Sequence, residues 1–456
     1  MELVVKIFDI IKAPGATVMM PVVICIFSLC MGVKFGKALR AGLLVGVGFV
    51  GLNTLIGMMG GELAPAVQAM VENYGFTLDA VDIGWVPSSA IAFASTIGTI
   101  IIPLGLLVNV VMLLTNTTQT INVDIWNYWH FAFTGAMVQS LTGSMAMGVA
   151  AAALNMVIVM VIADRTAPGV EEYNGLPGVS IPMGFAAAFA PIAAVVNKII
   201  DLIPGLRDIK IDMEKLQSRL GVFGEPVLIG TVFGLVIGVL AGYDWAKVLQ
   251  TAVALGASLV LIPKMAAVLM EGLLPLSDAT QVFIEKHFKN RGKVYVGLDS
   301  AVGIGHPVCM TCALVLVPLS ILIAVILPGN RVLPFADLSV LPHVFVLTIA
   351  ITHADFFRSM IIGVCSLVVM MYCGTNLVPL LMQTAAVADP ATYGNYAGAF
   401  SSICDGCNPL TWAMVKLADF QWIGIAIIAV IGIALALWNR KHIKAESAAL
   451  HNAGQV

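Results

Sequence analysis

Long apolar runs separated by short polar loops make up almost the whole of this chain. Runs near 16–34, 39–59, 90–115, 225–242, 248–272, 310–328, 359–382 and 420–438 each reach the length at which a helix crosses hydrocarbon. The stretch 128–163 is long enough for two crossings, with Gly143, Ser144 and Gly148 at its middle. Together they predict an all-α polytopic membrane protein of about eleven transmembrane helices. Four stretches break the pattern: 82–90, 175–191, 297–307 and 400–409 mix Gly or Pro with hydroxyl, amide, His or carboxylate groups. Non-helical backbone survives at membrane depth only where protein or a wet cavity satisfies its hydrogen bonds. These four are therefore expected to be re-entrant hairpins or broken helices around a polar site.

The pattern is written twice. The segment from Ala16 to Asn53 reads like the one that follows Glu225. Lys37 falls on Lys247, Pro103 on Pro318, and Asp124 with His130 on Asp337 with His343, an offset of about 210 to 215 residues throughout. Basic residues orient the two copies. Lys34, Lys37 and Arg40 share one loop; Lys198, Arg207, Lys210, Lys215 and Arg219 a second; Lys286, Lys289, Arg291 and Lys293 a third. Arg440, Lys441 and Lys444 follow the last run, whereas 60–87 carries Glu62, Glu72, Asp79 and Asp82 with no Lys or Arg. The positive-inside rule places the basic loops and the C-terminus in the cytoplasm and the N-terminus outside. Five crossings in the first half then insert the second half upside down. The expected organisation is a first inverted repeat at 1–175, then a re-entrant segment with a cytoplasmic amphipathic linker helix at 176–222. A second inverted repeat with a re-entrant hairpin follows at 223–415, and a last transmembrane helix with a cytoplasmic tail at 416–456. Duplicated halves of this kind suggest a transporter, because one site is then opened alternately to two sides.

Composition narrows the class. Hydrophobic residues make up 59% of the 456 and charged ones 11%, with mean hydropathy +0.98, too apolar for a soluble domain. Glu2, Lys6, Asp9 and Lys12 interrupt the N-terminus, which favours a short interfacial helix over a secretory signal. The eight Cys are scattered, and Cys404-x-x-Cys407 lacks a second pair, so neither a disulfide framework nor a metal is expected. Cys373 in Cys-Gly-Thr-Asn has no basic neighbour and reads as packing. A net charge of −3 with no basic domain argues against nucleic acid.

Ionisable groups inside hydrocarbon are expensive, so each is a candidate for contact with a polar solute. Asp299 stands among glycines, where its carboxylate can accept from vicinal hydroxyls or cap the next helix; His306 can donate. His130 lies among aromatics with Thr134 one turn on, as a site residue or as part of an aromatic belt. Asn53 is the strongly polar group of its run, and Ser88 and Ser89 follow Pro87 at a helix start. Asp405 and Asn408 have the composition of a re-entrant tip. His353, Asp355 and Arg358 read mainly as an internal ion pair near a cytoplasmic end, and Glu225 begins a helix whose dipole favours a carboxylate.

Several stretches carry a family resemblance in combination: Gly48-Phe-Val-Gly, Asn122-Val-Asp-Ile-Trp-Asn with Trp129-His130, Phe223-Gly-Glu-Pro-Val, Gly297-Leu-Asp, and Asn408-Pro-Leu-Thr-Trp. The chain resembles the membrane (IIC) component of bacterial sugar phosphotransferase systems, in the ascorbate–galactitol group, and most closely the galactitol type. That resemblance implies a homodimer in the lipid of the bacterial inner membrane, with eleven crossings, in which a core slides against a dimer-forming scaffold in an elevator motion. A sugar or sugar alcohol is carried inward and phosphorylated by a separate soluble IIB protein, itself supplied by IIA. The chain then has no catalytic residue and no cofactor of its own. Carried over residue by residue, the ascorbate-type pocket falls near Ser88, His130, Thr134, Met183 and Asp299; relatives often have His where this chain has Met183. The loop Lys286–Lys293 and a helix at 207–219 are the expected docking points for IIB. The competing reading is an ion-coupled secondary sugar or polyol transporter using Asp299 or Asp405 as the coupling carboxylate.

Overall fold

The computed structural model describes residues 16–74, 78–209, 211, 226–287, 293–394 and 399–452. Leaving aside one-turn pieces, the first half runs α1 (Ala16–Cys30), α2 (Phe35–Tyr74), β1 (Ala80–Asp82), α3 (Trp85–Ala94), α4 (Thr96–Leu114), β2 (Thr120–Asn122), α5 (Tyr128–Thr142), α6 (Met145–Tyr173), β3 (Val179–Ser180) and α7 (Gly184–Leu202). The second runs α8 (Pro226–Leu240), α9 (Trp245–His287), β4 (Tyr295–Gly297), α10 (Pro307–Ile326), β5 (Val332–Leu333), α11 (Pro342–Thr352), α12 (Phe356–Ala388), β6 (Ala399–Ser401) and α13 (Pro409–Ala418). Element for element the order recurs, except that a single 3-10 turn at Ser300–Val302 replaces α3. A last helix, α14 (Gln421–Asn452), has no counterpart.

Among the described residues six helices, α4, α6, α7, α10, α12 and α14, are long and apolar enough to cross a membrane. Ile423, Val430 and Ile433 on α14 are each more than half exposed, as lipid-facing side chains are. The stretch 128–163 forms two helices, α5 and α6, of which α6 is among the six. Gly143 breaks them apart in the left-handed conformation at φ 69°, which costs glycine nothing, and Ser144 then caps α6 by accepting from the Met147 N–H. The runs at 39–59 and 248–272 extend instead into helices of 40 and 43 residues. The 90–115 run is cut at Ser95, whose hydroxyl accepts from Gly98 N at 3.0 Å.

Reciprocal ion pairs join the two long helices. Lys247 of α9 meets Glu62 of α2 at 2.9 Å, and Arg40 of α2 meets Glu271 of α9 at 2.5 Å. Residue 40 opposite 271 and 62 opposite 247 means that these two equivalent helices run antiparallel, as an inverted repeat requires. Gly272 allows the close approach, since a Cβ there would lie 2.7 Å from the Ala41 carbonyl oxygen. α1, α2, α8 and α9 pack mainly on one another. The remaining elements form a second body whose centre holds Trp129, Phe131, Phe133, Phe185, Phe189 and Phe345, all fully or almost fully buried.

The chain is mostly helical, as expected, with a small addition. Among the described residues six strands of two or three residues form two parallel sheets, in the orders β5-β1-β6 and β2-β4-β3. Val81 lies opposite Leu333 and Phe400, and Val296 opposite Ile121 and Val179. Each sheet takes its central strand from one half and its outer strands from the other, so the repeat maps one sheet onto the other. All four stretches that interrupt the hydrophobic pattern are places where such a strand turns into a helix start. Asp164 ties α14 to the second sheet, accepting from Asn439 Nδ2 at 2.6 Å and from the Thr120 hydroxyl at 2.7 Å. The N-terminal interfacial helix, Glu225 and most of the segments 207–219 and 286–293 lie outside the described residues.

Candidate functional site

In each half an Asp closes the turn after a strand, and a His follows six residues later in the first turn of a helix: Asp124 and His130 before and in α5, Asp337 and His343 before and in α11. Because the sheets interlock, the two histidines converge. His343 lies within electrostatic reach of both His130 and Asp299.

His130 makes the tightest contact. Its Nδ1 lies 2.5 Å from Asp405 Oδ2, with the two side chains 1% and 0% exposed. Asp405 Oδ1 accepts from Asn408 Nδ2 at 3.0 Å. Asn408 caps α13, its Oδ1 accepting from the N–H groups of Leu410 and Thr411 at 2.9 and 3.1 Å, while Nδ2 also reaches the Gly184 carbonyl at 3.2 Å. Asp405 therefore lies three residues ahead of the cap of α13 and is tied to it through the Asn408 amide. Gly184 is required here: a Cβ would lie 2.5 Å from His130 Cβ, so a side chain would push α7 off α5. The Trp129 ring packs 4.1 Å from the imidazole. His130 Nε2 is buried without a hydrogen-bond partner among the described residues. One turn further on, the Thr134 hydroxyl accepts from Asn155 Nδ2 at 2.7 Å and shares a hydrogen bond with Thr411 at 2.8 Å.

The second histidine is held more loosely. His343 Nδ1 lies 2.6 Å from Ser300 Oγ and 3.9 Å from Asp299 Oδ1, and the Ser300 hydroxyl donates to Met183 Sδ at 3.0 Å. Asp299 caps its 3-10 turn, Oδ1 accepting from Ala301 N at 2.7 Å, while its own N–H donates to Asp124 Oδ2 at 3.0 Å. Asp299 thus caps its turn with the same side chain that lies near His343.

Of the residues singled out from sequence, the structure brings His130, Thr134, Met183, Asp299, Asp405 and Asn408 into one buried region at the strand-to-helix turns. Others are engaged elsewhere. Ser88 donates to the Gly84 carbonyl within the first turn of α3, at 3.0 Å, with Ser89 buried beside it. His306 caps α10, accepting from Val308 N at 3.2 Å. Asp355 caps α12 through Arg358 N, and Arg358 makes its ion pair with Asp201 at 2.7 Å instead. His353 is exposed and stacks on Tyr173. Asn53 lies on α2. His343, Ser300, Asp124 and Thr411 belong to the cluster and were not singled out from sequence as site residues. The repeat carried the signal for His343, which falls on His130.

Cys404 Sγ joins His130 and Asp405 in a buried set of ligand atoms within 4.8 Å of one another. Nitrogen, sulfur and oxygen would suit a borderline metal, but the His130–Asp405 bond already engages two of the three. Hydrogen-bonding groups of both kinds, two imidazoles, two carboxylates and several hydroxyls, are what a polyhydroxylated solute needs. A solute lacking a matching hydroxyl would leave one of them buried and unpaired.

Comparison with known proteins identifies a family of membrane permeases. The sequence pattern described as "PTS system sugar-specific permease component" matches residues 9–397. The galactitol-specific EIIC component of Escherichia coli K12 is 40% identical over 418 residues, which cover 91% of this chain and 92% of the relative. A putative permease IIC component of the same organism is 36% identical over 434 residues, covering 95% and 99%. A duplicated helical membrane protein with buried polar turns, alike to these relatives along nearly its whole length, belongs to the family of sugar-specific permease components of the phosphotransferase system.

Proposed function

We propose that this chain is the translocating membrane subunit of a phosphoenolpyruvate-dependent phosphotransferase system, carrying galactitol inward for phosphorylation by a separate IIB protein supplied by IIA. The observation that carries the site assignment is the convergence of His130, His343, Asp299 and Asp405 at turns contributed by both repeats. Groups from both halves around one solute allow a single site to change sides. The packing of α1, α2, α8 and α9 largely on one another supports an elevator, with these four as the scaffold and the second body as the moving core. In this reading the chain makes about eleven crossings of the bacterial inner membrane, divides at 1–175, 176–222, 223–415 and 416–456, works as a homodimer, and keeps its C-terminus in the cytoplasm. The basic segments at 207–219 and 286–293 dock the partner, and Asn53, Ser88, Ser89 and Thr134 contribute to the solute path.

Uptake of labelled galactitol in right-side-out vesicles tests the proposal. With phosphoenolpyruvate and the soluble partners, the solute should be recovered inside as its phosphate. Accumulation of free galactitol driven by an ion gradient would replace this reading with an ion-coupled transporter.

A further inference from the structure

We propose that the Asp405–His130 pair takes the proton from the solute hydroxyl that is phosphorylated, so that this chain supplies a catalytic base as well as a binding site. The inference rests on the preceding reading of the chain as the translocating subunit. It follows from a sequence of hydrogen-bond assignments, each of which constrains the next. The orientation of the Asn408 amide is set by the helix it caps: Oδ1 accepts two backbone N–H groups, so Nδ2 must be the atom that donates to Asp405 Oδ1. Asp405 is then an acceptor on that side. With a carboxylate as its partner, His130 Nδ1, 2.5 Å from Oδ2, carries the hydrogen. In the neutral ring the lone pair is thereby placed on Nε2. That nitrogen is the buried one with no partner among the described residues.

A carboxylate that fixes the tautomer of an imidazole whose other nitrogen is unengaged is the arrangement of a general base and its orienter. Here the ring is also held in place by Trp129 on one side and by the close approach of Gly184. A polyol hydroxyl does not ionise near neutral pH, so its attack on phosphorus gains from a base in position. In the step proposed, the hydroxyl oxygen forms a bond to the phosphorus of the phosphoryl group carried by the soluble partner, and the bond from that phosphorus to the partner's carrier atom breaks. The electron pair leaves with the carrier atom. The hydroxyl proton passes to His130 Nε2, and the resulting imidazolium is paired with Asp405 until it releases the proton to water. His343, with Ser300 on its Nδ1 and Asp299 only at 3.9 Å, lacks this arrangement.

The test separates binding from phosphoryl transfer on the full-length protein in proteoliposomes. Labelled galactitol binding and counterflow exchange, which need no phosphoryl donor, are measured beside single-turnover transfer from the phosphorylated partner. Asp405→Asn should lower transfer by roughly 10²–10⁴-fold, the range a positioned base supplies, beyond any loss of binding. Transfer by the unmodified protein should fall at acid pH, with a solvent deuterium isotope effect on the step. A fall in transfer no greater than the fall in binding, or transfer by the unmodified protein with neither pH dependence nor isotope effect, overturns the base assignment. Unmodified protein that neither binds nor exchanges galactitol overturns instead the reading on which it rests. Should Asp405→Asn fail to fold, the pH profile and isotope effect decide alone.

Discussion

The two sheets are copies of one design, and they use their carboxylates differently. Where β1 ends, Asp82 accepts from four backbone N–H groups, those of Gly84, Phe335, Asp337 and Ile403. Asp337 accepts from Trp85 N, Cys404 N and the Ser402 hydroxyl. Both are completely buried and fully engaged, and they close the strand ends. In the second sheet Asp124 repeats the role of Asp337, binding Trp126 N and Asp299 N. The position matching Asp82, however, is Gly297, where a Cβ would lie 2.8 Å from Pro182 and Thr120 side chains. The carboxylate of that turn appears two residues later, as Asp299, opposite Gly84 in the first sheet. Moving the carboxylate by two residues turns a clamp on four N–H groups into a cap on one turn. Duplication supplied the frame, and divergence at two positions changed what this carboxylate holds.

The largest effect should come from breaking the clamp. Asp82→Ala strips four buried N–H groups of their acceptor, at about 1–3 kcal/mol each. The variant should give no monodisperse protein on size exclusion in mild detergent, and a well-behaved peak would show that the first sheet does not depend on this carboxylate. Asp299→Asn should do the opposite, leaving the melting temperature nearly unchanged while lowering galactitol uptake roughly 10- to 100-fold, from the 1.5–3 kcal/mol of a hydrogen bond to a charged group. Normal uptake would return Asp299 to a capping role like that of its neighbours.

Met183→Leu is a milder probe of the second sheet. It keeps the volume, so stability should change by less than about 1.5 kcal/mol. It removes the sulfur that receives the Ser300 hydroxyl, and the apparent affinity for solute should shift while the fold is retained. An unchanged affinity would detach Ser300 and His343 from the solute. The smallest effect belongs to the exposed edge of the first sheet. There the hydrogen bond from Arg331 holds the Asp79 carboxyl below its ordinary range. A depressed carboxylate contributes stability above its unfolded value, near 4, that is lost as pH falls through the folded value. Arg331→Ala should therefore lower the melting temperature slightly at neutral pH, with the difference closing below about pH 4. A constant difference across that window would assign the loss to packing.

Much of this architecture is legible in the order of residues. The offset that lays Asp124 and His130 on Asp337 and His343 anticipates the equivalent turns. The small residues at 143–148 anticipate the break between α5 and α6. The polar interruptions at 82–90, 175–191, 297–307 and 400–409 mark every turn that builds the site except those after β2 and β5. The strands themselves leave no trace, because two or three residues cannot display an alternating pattern and their flanks are apolar for other reasons. His343 carries no local mark of a site residue, although the repeat points to it, because its surroundings read as ordinary apolar helix.

The sequence alone dictated a lipid-solvated, duplicated helical chain with polar breaks, since hydropathy and repetition are properties of the order of residues. Only the tertiary structure decided which breaks meet. His130 and Asp405 lie 275 residues apart, and nothing local to either selects the other. Their pairing follows from sheets that borrow strands from both halves. Hydrogen bonding across those sheets brings distant turns to one place and gives one histidine a carboxylate partner while the other takes a serine.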